Sequence, residues 1–146
     1  MIDRKWIGHE LPPSSLALER GRLRCFAQSI GETDPLYTDV SAARAAGYTD
    51  LPAPPTFLFG VELESGTTDE LLKLLTIPLS KVLHGEQGFT YHRAACAGDT
   101  ITVRSRVVDI YDKKGGALEF VVKNSEARNQ GDELVAEMRT VLVCRH

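Results

Sequence analysis

The sequence predicts an α+β fold in which a long antiparallel sheet wraps around one central apolar helix. Three observations carry this expectation. The first half of the chain shows helical periodicity and is punctuated by prolines. The second half reads as strands parted by turn signals, the order expected of an α+β protein with an antiparallel sheet. Between them, Phe57-Leu58-Phe59-Gly60-Val61 is apolar on every side, so a helix there must be wrapped by protein rather than laid on a surface.

Over residues 19–30, Leu23, Phe26, Ala27 and Ile30 follow the i, i+3, i+4, i+7 spacing of one helix face, and Gly31 is a natural stop. Asp39 or Ser41 can cap a short Ala-rich helix that ends at Gly47. Leu51-Pro52-Ala53-Pro54-Pro55 cannot be helical, because proline lacks the backbone donor and pushes its predecessor into an extended conformation. Thr56 stands where a cap would open the central helix, residues 57–63. A further short helix, residues 69–75, ends before Pro78.

Four strands follow as a meander: 81–94, 100–111, 117–128 and a last one from Leu134. The turns between them are Ala97-Gly98-Asp99, Asp112-Lys113-Lys114-Gly115-Gly116 and Asn129-Gln130-Gly131-Asp132. Glycine inside a strand marks a bulge or a close backbone approach, so Gly85 is singled out. By alternation His84 shares a face with Glu86 and His92. Leu134, Ala136, Met138, Thr140, Leu142 and Cys144 share one face of the last strand. Val141 and Val143 make the other face apolar too, so something is expected to cover the outside of the sheet. One buried helix wrapped by a long antiparallel sheet is the hotdog architecture, and residues 1–146 read as a single domain.

Composition excludes several classes of function. Twenty acids against seventeen bases give a net charge of −3, which argues against a nucleic-acid platform. No apolar run is long enough to span a membrane, and the start lacks the pattern of a secretory signal, so the cytoplasm is the expected compartment. Cys25, Cys96 and Cys144 are far apart and read as reduced, buried thiols. A metal site from His84, His92 and Cys96 fails on length, since eight residues of strand span ~26 Å. No phosphate-cradling glycine loop, serine-hydrolase elbow or metalloprotease motif occurs. Neither a metal nor another cofactor is expected.

Two stretches are more specific. The first runs Phe26-Ala27-Gln28-Ser29-Ile30-Gly31-Glu32-Thr33-Asp34-Pro35-Leu36-Tyr37-Thr38-Asp39, followed by Ala53-Pro54-Pro55-Thr56-Phe57. The second runs Leu83-His84-Gly85-Glu86-Gln87-Gly88-Phe89-Thr90-Tyr91-His92-Arg93, followed by Ala97-Gly98-Asp99-Thr100. Together they resemble the MaoC-like hydratase/dehydratase family of hotdog proteins. The likeness is to its N-terminal or partner-subunit branch, which is similar to the dehydratase region of fungal fatty-acid synthases. The resemblance implies water addition to, or removal from, acyl thioesters of coenzyme A or acyl carrier protein. Active members carry a Gly-Asp-x-Asn-Pro-Leu-His segment whose Asp and His hold the water. On this sequence Gly31, Pro35 and Leu36 match, while Glu32, Asp34 and Tyr37 stand at the Asp, Asn and His positions. The family's His-Gly pair, whose glycine N–H helps hold the thioester oxygen, falls on Pro54-Pro55.

Hydrating an enoyl thioester needs a base for water, an acid for the α-carbon and donors aimed at the enolate oxygen. Tyr37, with a reference pKa of ~10, is a poor base at neutral pH. Pro55 has no N–H to offer. The resemblance therefore points to a subunit of an (R)-specific enoyl-thioester hydratase or 3-hydroxyacyl-thioester dehydratase. Either replaced residues make it active, or it binds the acyl group while a second hotdog subunit supplies Asp and His. If the chain acts alone, the catalytic candidates are Glu32, Asp34, Tyr37 and His84. Pro55, Thr56, Phe57, Gly85 and Glu86 are the substrate-binding candidates. Each has a plainer reading: acids in a loop serve as caps, and Tyr37 packs. Arg93, Arg104, Arg106, Lys113 and Lys114 suit a carrier's phosphates, but also suit a solvated strand face. Residues 57–63 with Leu83-His84-Gly85 are expected to line an acyl channel. Two other readings stay open: a non-catalytic acyl-thioester binding module, and a hotdog thioesterase using Glu62 or Glu64. An uncovered sheet edge invites pairing, so a homodimer or a heterodimer with a second hotdog is expected.

Overall fold

A computed structural model describes residues 1–145. Five strands make one antiparallel sheet in the order β1-β3-β4-β5-β2. They are β1 (Ser14–Ala17), β2 (Val82–Tyr91), β3 (Thr100–Lys113), β4 (Leu118–Arg128) and β5 (Leu134–Arg145). Helices α1 (Arg20–Ser29), α2 (Val40–Ala45), α3 (Phe59–Glu64) and α4 (Thr67–Leu74) contribute to the core on the inner face. The fold is the α+β hotdog arrangement expected from the sequence.

The meander holds only for β3, β4 and β5. β2 lies at the far edge, paired with β5 rather than with β3. The link from β2 to β3 is not a hairpin because its backbone bonds elsewhere. Ala53 N–H donates to the Ala95 carbonyl at 2.7 Å, and Ala97 N–H to the Leu51 carbonyl at 2.8 Å. These bonds tie the crossover to the proline-rich entry of the central helix.

The short strand β1 was not visible in the sequence. It continues a strap in which Gly8 N–H donates to the Val107 carbonyl (2.8 Å) and Leu11 N–H to the Ser105 carbonyl (2.9 Å). The strap and β1 cover the outer edge of β3. Among the described residues, the edge of β2 has no such cover.

Leu23 and Ala27 of α1 are fully buried, as the periodicity requires. Ile30 is not: the helix ends at Ser29, Gly31 turns at φ +75°, and Ile30 is left 52% exposed. Cys25 is also exposed, whereas Cys96 and Cys144 are buried. Burial, with Glu119 nearby, pushes the Cys144 thiol up to about 11.

The central helix is shorter than predicted and is not apolar all round. Thr56 sits at φ +72°, so it is a turn residue rather than a helix cap, and α3 opens only at Phe59. Leu63 is exposed, while Glu62 is completely buried. Glu62 Oε2 lies 2.9 Å from Lys123 Nζ, off the direction of a hydrogen bond, so the contact is an ion pair. Its Oε1 accepts from Ser125 Oγ at 2.7 Å and from Ser105 Oγ. This polar layer divides the core along each strand. It falls between Val103 and Val107 on β3, Ala127 and Val121 on β4, and, through Thr140, between Met138 and Leu142 on β5.

Of the last strand's inward set, Ala136 to Cys144 are buried, but Leu134 is only partly so, because the register shifts there and Val135 enters the core. On the outer face, Leu83, Val143, Phe120 and Tyr111 align across four strands. Tyr111 stacks on Phe120 at 4.8 Å, with the Lys113 ammonium 5.0 Å from the Phe120 ring centre. The sheet's own side chains, rather than another element, cover part of that face.

Candidate functional site

The loop after α1 is built by its own side chains. Glu32 Oε1 accepts from the N–H groups of Thr33 (2.8 Å) and Asp34 (3.0 Å). Asp34 caps the 3-10 turn Pro35–Tyr37 by accepting from Leu36 N–H at 3.0 Å. Asp39 caps α2 through Ser41 N–H at 2.8 Å. From α1, Arg24 Nε donates to the Thr38 carbonyl at 2.7 Å and fixes the loop's far end.

Tyr37 is half-buried at this loop. Burial raises its phenol above the usual value, with Glu32, Tyr48 and Asp34 adding to the rise. Tyr91, at the end of β2, is raised by burial and then by Tyr37. Its hydroxyl accepts the Thr56 N–H at 3.0 Å, and its ring stacks on Phe89 at 5.6 Å. Glu32, Asp34, Tyr37, Tyr48, Thr56 and Tyr91 thus converge at one end of the sheet. Sequence reasoning passed over Tyr91. Its signal was the alternation Phe89, Tyr91 on the strand face that meets the central helix.

Pro55 is exposed and Phe57 is a core residue, edge-to-face with Phe26 at 5.3 Å. His84 lies elsewhere. It is seven residues from Tyr91 along β2, about 20 Å once the bulge is allowed for, so one protomer does not bring it to Glu32 or Asp34. Its Nε2 is 3.1 Å from Gln87 Oε1, which also accepts from Thr140 Oγ1 at 2.8 Å, and its ring meets Phe59 at 4.9 Å.

Gly85 does mark a bulge, because the pairing with β5 shifts between His84 and Glu86. A Cβ on Gly85 would stand 2.7 Å from Val143 Cγ2, closer than carbon atoms approach. The bulge overturns the simple alternation: His84 faces α3 with Gln87, whereas Glu86 faces outward and pairs with Arg139 at 2.7 Å. His92 remains with Glu86 on the outer face, beside Glu137 at 2.9 Å.

The two helix acids are occupied. Glu62 is sealed in the core, and Glu64 pairs with Arg22. Arg93 pairs with Glu133 at 2.6 Å, and Arg104 lies 3.9 Å from Asp132. A basin of about 880 Å³ on the outer face, away from the loop, is lined by Arg104, Arg106 and Arg139 against Glu10, Glu126 and Glu137. Its charges balance, so it presents no phosphate-selective field. Among the described residues no cluster of His, Cys, Asp or Glu can hold a metal ion, and no helix is long and apolar enough to cross a membrane.

Known proteins are similar to this chain in sequence and in fold. The FAS1-like dehydratase domain region family matches residues 5–138. A UPF0336 protein of Streptomyces avermitilis is 34% identical over 145 residues, covering 99% of this chain and 95% of the relative. Among solved structures, the HadBC (3R-hydroxyacyl-ACP dehydratase) complex of Mycobacterium tuberculosis superposes with a TM-score of 0.81 at 25% identity. The match covers 94% of this chain and 96% of that one. A MaoC-like dehydratase superposes at 0.84 with 20% identity, over 96% of this chain and 42% of that longer one, a likeness of fold.

Proposed function

Because this chain belongs to the FAS1-like dehydratase-region family of MaoC-like hotdog proteins, we propose that it is the acyl-binding subunit of a two-subunit hydro-lyase. The enzyme is an (R)-specific enoyl-thioester hydratase, or, run in reverse, a 3-hydroxyacyl-thioester dehydratase. Its substrate is carried by coenzyme A or an acyl carrier protein, and the second hotdog subunit supplies the Asp and His that handle water.

One observation carries the reading. In the loop where active members hold water, Glu32 and Asp34 are committed to their own backbone, and the third position is a phenol raised above its usual value. These backbone donors sit on one oxygen of each carboxylate and fix its direction within the loop, the geometry of a cap. Pro55 removes a backbone donor that active members use, and losing such a donor typically costs ~10²–10³ in rate.

The uncovered β2 edge supports a partner. Exposed Leu83 lies on that strand and exposed Leu79 just before it, with Leu63 exposed on α3. The printed description of the similar HadBC structure is of a complex. A partner docked there would lie along β2, the strand that carries His84 and Tyr91. The thioesterase alternative finds no support: Glu62 is fully buried, and Glu64 is paired with Arg22 of α1.

The test is a mutant panel assayed with and without a second hotdog subunit that carries the Asp and His pair. Glu32→Gln is expected to leave turnover within a few-fold, because the group takes no part in the transition state. If this chain is instead its own catalyst, Glu32→Gln, Asp34→Asn or His84→Ala should each depress turnover by ~10² or more.

A further inference from the structure

Tyr91 is a half-exposed phenol whose oxygen already has a backbone donor. The Thr56 N–H, in the turn before α3, reaches it at 3.0 Å. That bond uses a lone pair of the phenol and leaves its proton free. Among the described residues nothing accepts that proton, and Tyr91 is 48% exposed. Stacking on Phe89, with the two rings 4° from parallel, fixes the direction of the hydroxyl.

The surroundings select what the proton meets. Burial and Tyr37 hold Tyr91 above the usual phenol range, so it stays a donor at neutral pH. The carboxylates of Glu32 and Asp34 act on neighbouring Tyr37 and disfavour a fully charged anion such as a phosphate or carboxylate. A neutral carbonyl oxygen is attracted by the donor without that repulsion. The donation from Thr56 also polarises the phenol and strengthens the hydrogen bond it gives in turn.

We propose that the Tyr91 hydroxyl, held by the Thr56 N–H, binds the carbonyl oxygen of the acyl thioester in the place where Pro55 offers no donor. This rests on the acyl-thioester reading above. The role is one of substrate binding, a hydrogen bond given to the neutral carbonyl oxygen.

The experiment titrates the full chain calorimetrically with crotonyl-CoA and with its thioether analogue, S-(2-butenyl)-CoA, which lacks the carbonyl oxygen. Wild type is expected to prefer the thioester. Y91F keeps the ring stacked on Phe89 and removes only the hydroxyl. It should lose about three- to ten-fold in thioester affinity, the usual worth of one hydrogen bond, and nothing toward the thioether. The carbonyl stretch of bound thioester, read by Raman difference spectroscopy, should move to lower frequency in wild type and return in Y91F. Y111F, on the outer face, serves as a control for loss of a phenol and should bind as wild type does. If wild type binds both compounds without preference, or prefers the thioester and Y91F keeps that preference, Tyr91 is not the donor and the proposal is overturned. If wild type binds neither compound, the acyl-thioester reading itself fails, and the assignment of Tyr91 falls with it.

Discussion

Replacing Lys123 by Met probes the contact on which the central helix is seated. Lys123 is 2% exposed and Glu62 fully buried, with the ammonium 2.9 Å from the carboxylate and both serine hydroxyls on the other oxygen. Removing one partner of a dry ion pair leaves an uncompensated buried charge, a loss of ~3–5 kcal/mol. A domain of this size has ~5–15 kcal/mol of stability in total. With a urea m-value of ~2 kcal/mol/M, the unfolding midpoint should fall by about 2 M. Glu62→Gln should cost a similar amount, although it keeps an oxygen for Ser105 and Ser125. The double variant Glu62→Gln/Lys123→Met should recover most of the loss, because neither charge is then stranded. Equilibrium urea unfolding of the four proteins gives the coupling directly. Single losses below ~1 kcal/mol that simply add would refute the argument, since a solvated pair behaves that way.

Gly85→Ala should destabilise the fold by ~1–3 kcal/mol through overpacking against Val143. Adding Val143→Ala should recover part of that loss in thermal unfolding. Asp50 is held well below the usual carboxylate range, first by hydrogen bonds from Arg20 and then by Leu51 N–H, with Arg44 also nearby. A depressed carboxylate contributes its stability above the free value of ~3.9 and loses it as pH falls through its folded value. The stability gap between wild type and Asp50→Asn should therefore be full near neutral pH and close in strong acid, read by urea unfolding across pH. On assembly, light scattering at micromolar concentration should find a dimer or a complex with the second hotdog subunit. A stable monomer in both conditions would contradict the role given to the β2 edge.

Features written in a few neighbouring residues were legible in the sequence. The Asp39 cap, the stop at Gly31 and the bulge at Gly85 each follow from local backbone chemistry. The pairing of β2 with β5 was not, because its partners lie some fifty residues apart and the crossover is set by bonds to Leu51 and Ala53. The left-handed Thr56 ran against local preference, since β-branched residues disfavour positive φ. A lysine in a strand reads as solvent-facing, so the seat of Glu62 was hidden. The clue was that Lys123 alternates with Val121, Ser125 and Ala127, an inward-facing set. At the site, the motif departures at Glu32, Tyr37 and Pro55 were plain. The convergence of Tyr37 with Tyr91 and Thr56 was not, because it depends on where β2 ends.

In the proposed function this chain holds the acyl group while a partner handles water. The most direct test follows the loss of enoyl absorbance of crotonyl-CoA or a longer enoyl thioester at neutral pH. The purified chain is compared with its complex with a second hotdog subunit carrying the Asp and His pair. Turnover near background is expected for the chain alone, and rapid hydration for the complex. Many turnovers per second by the chain alone would contradict it.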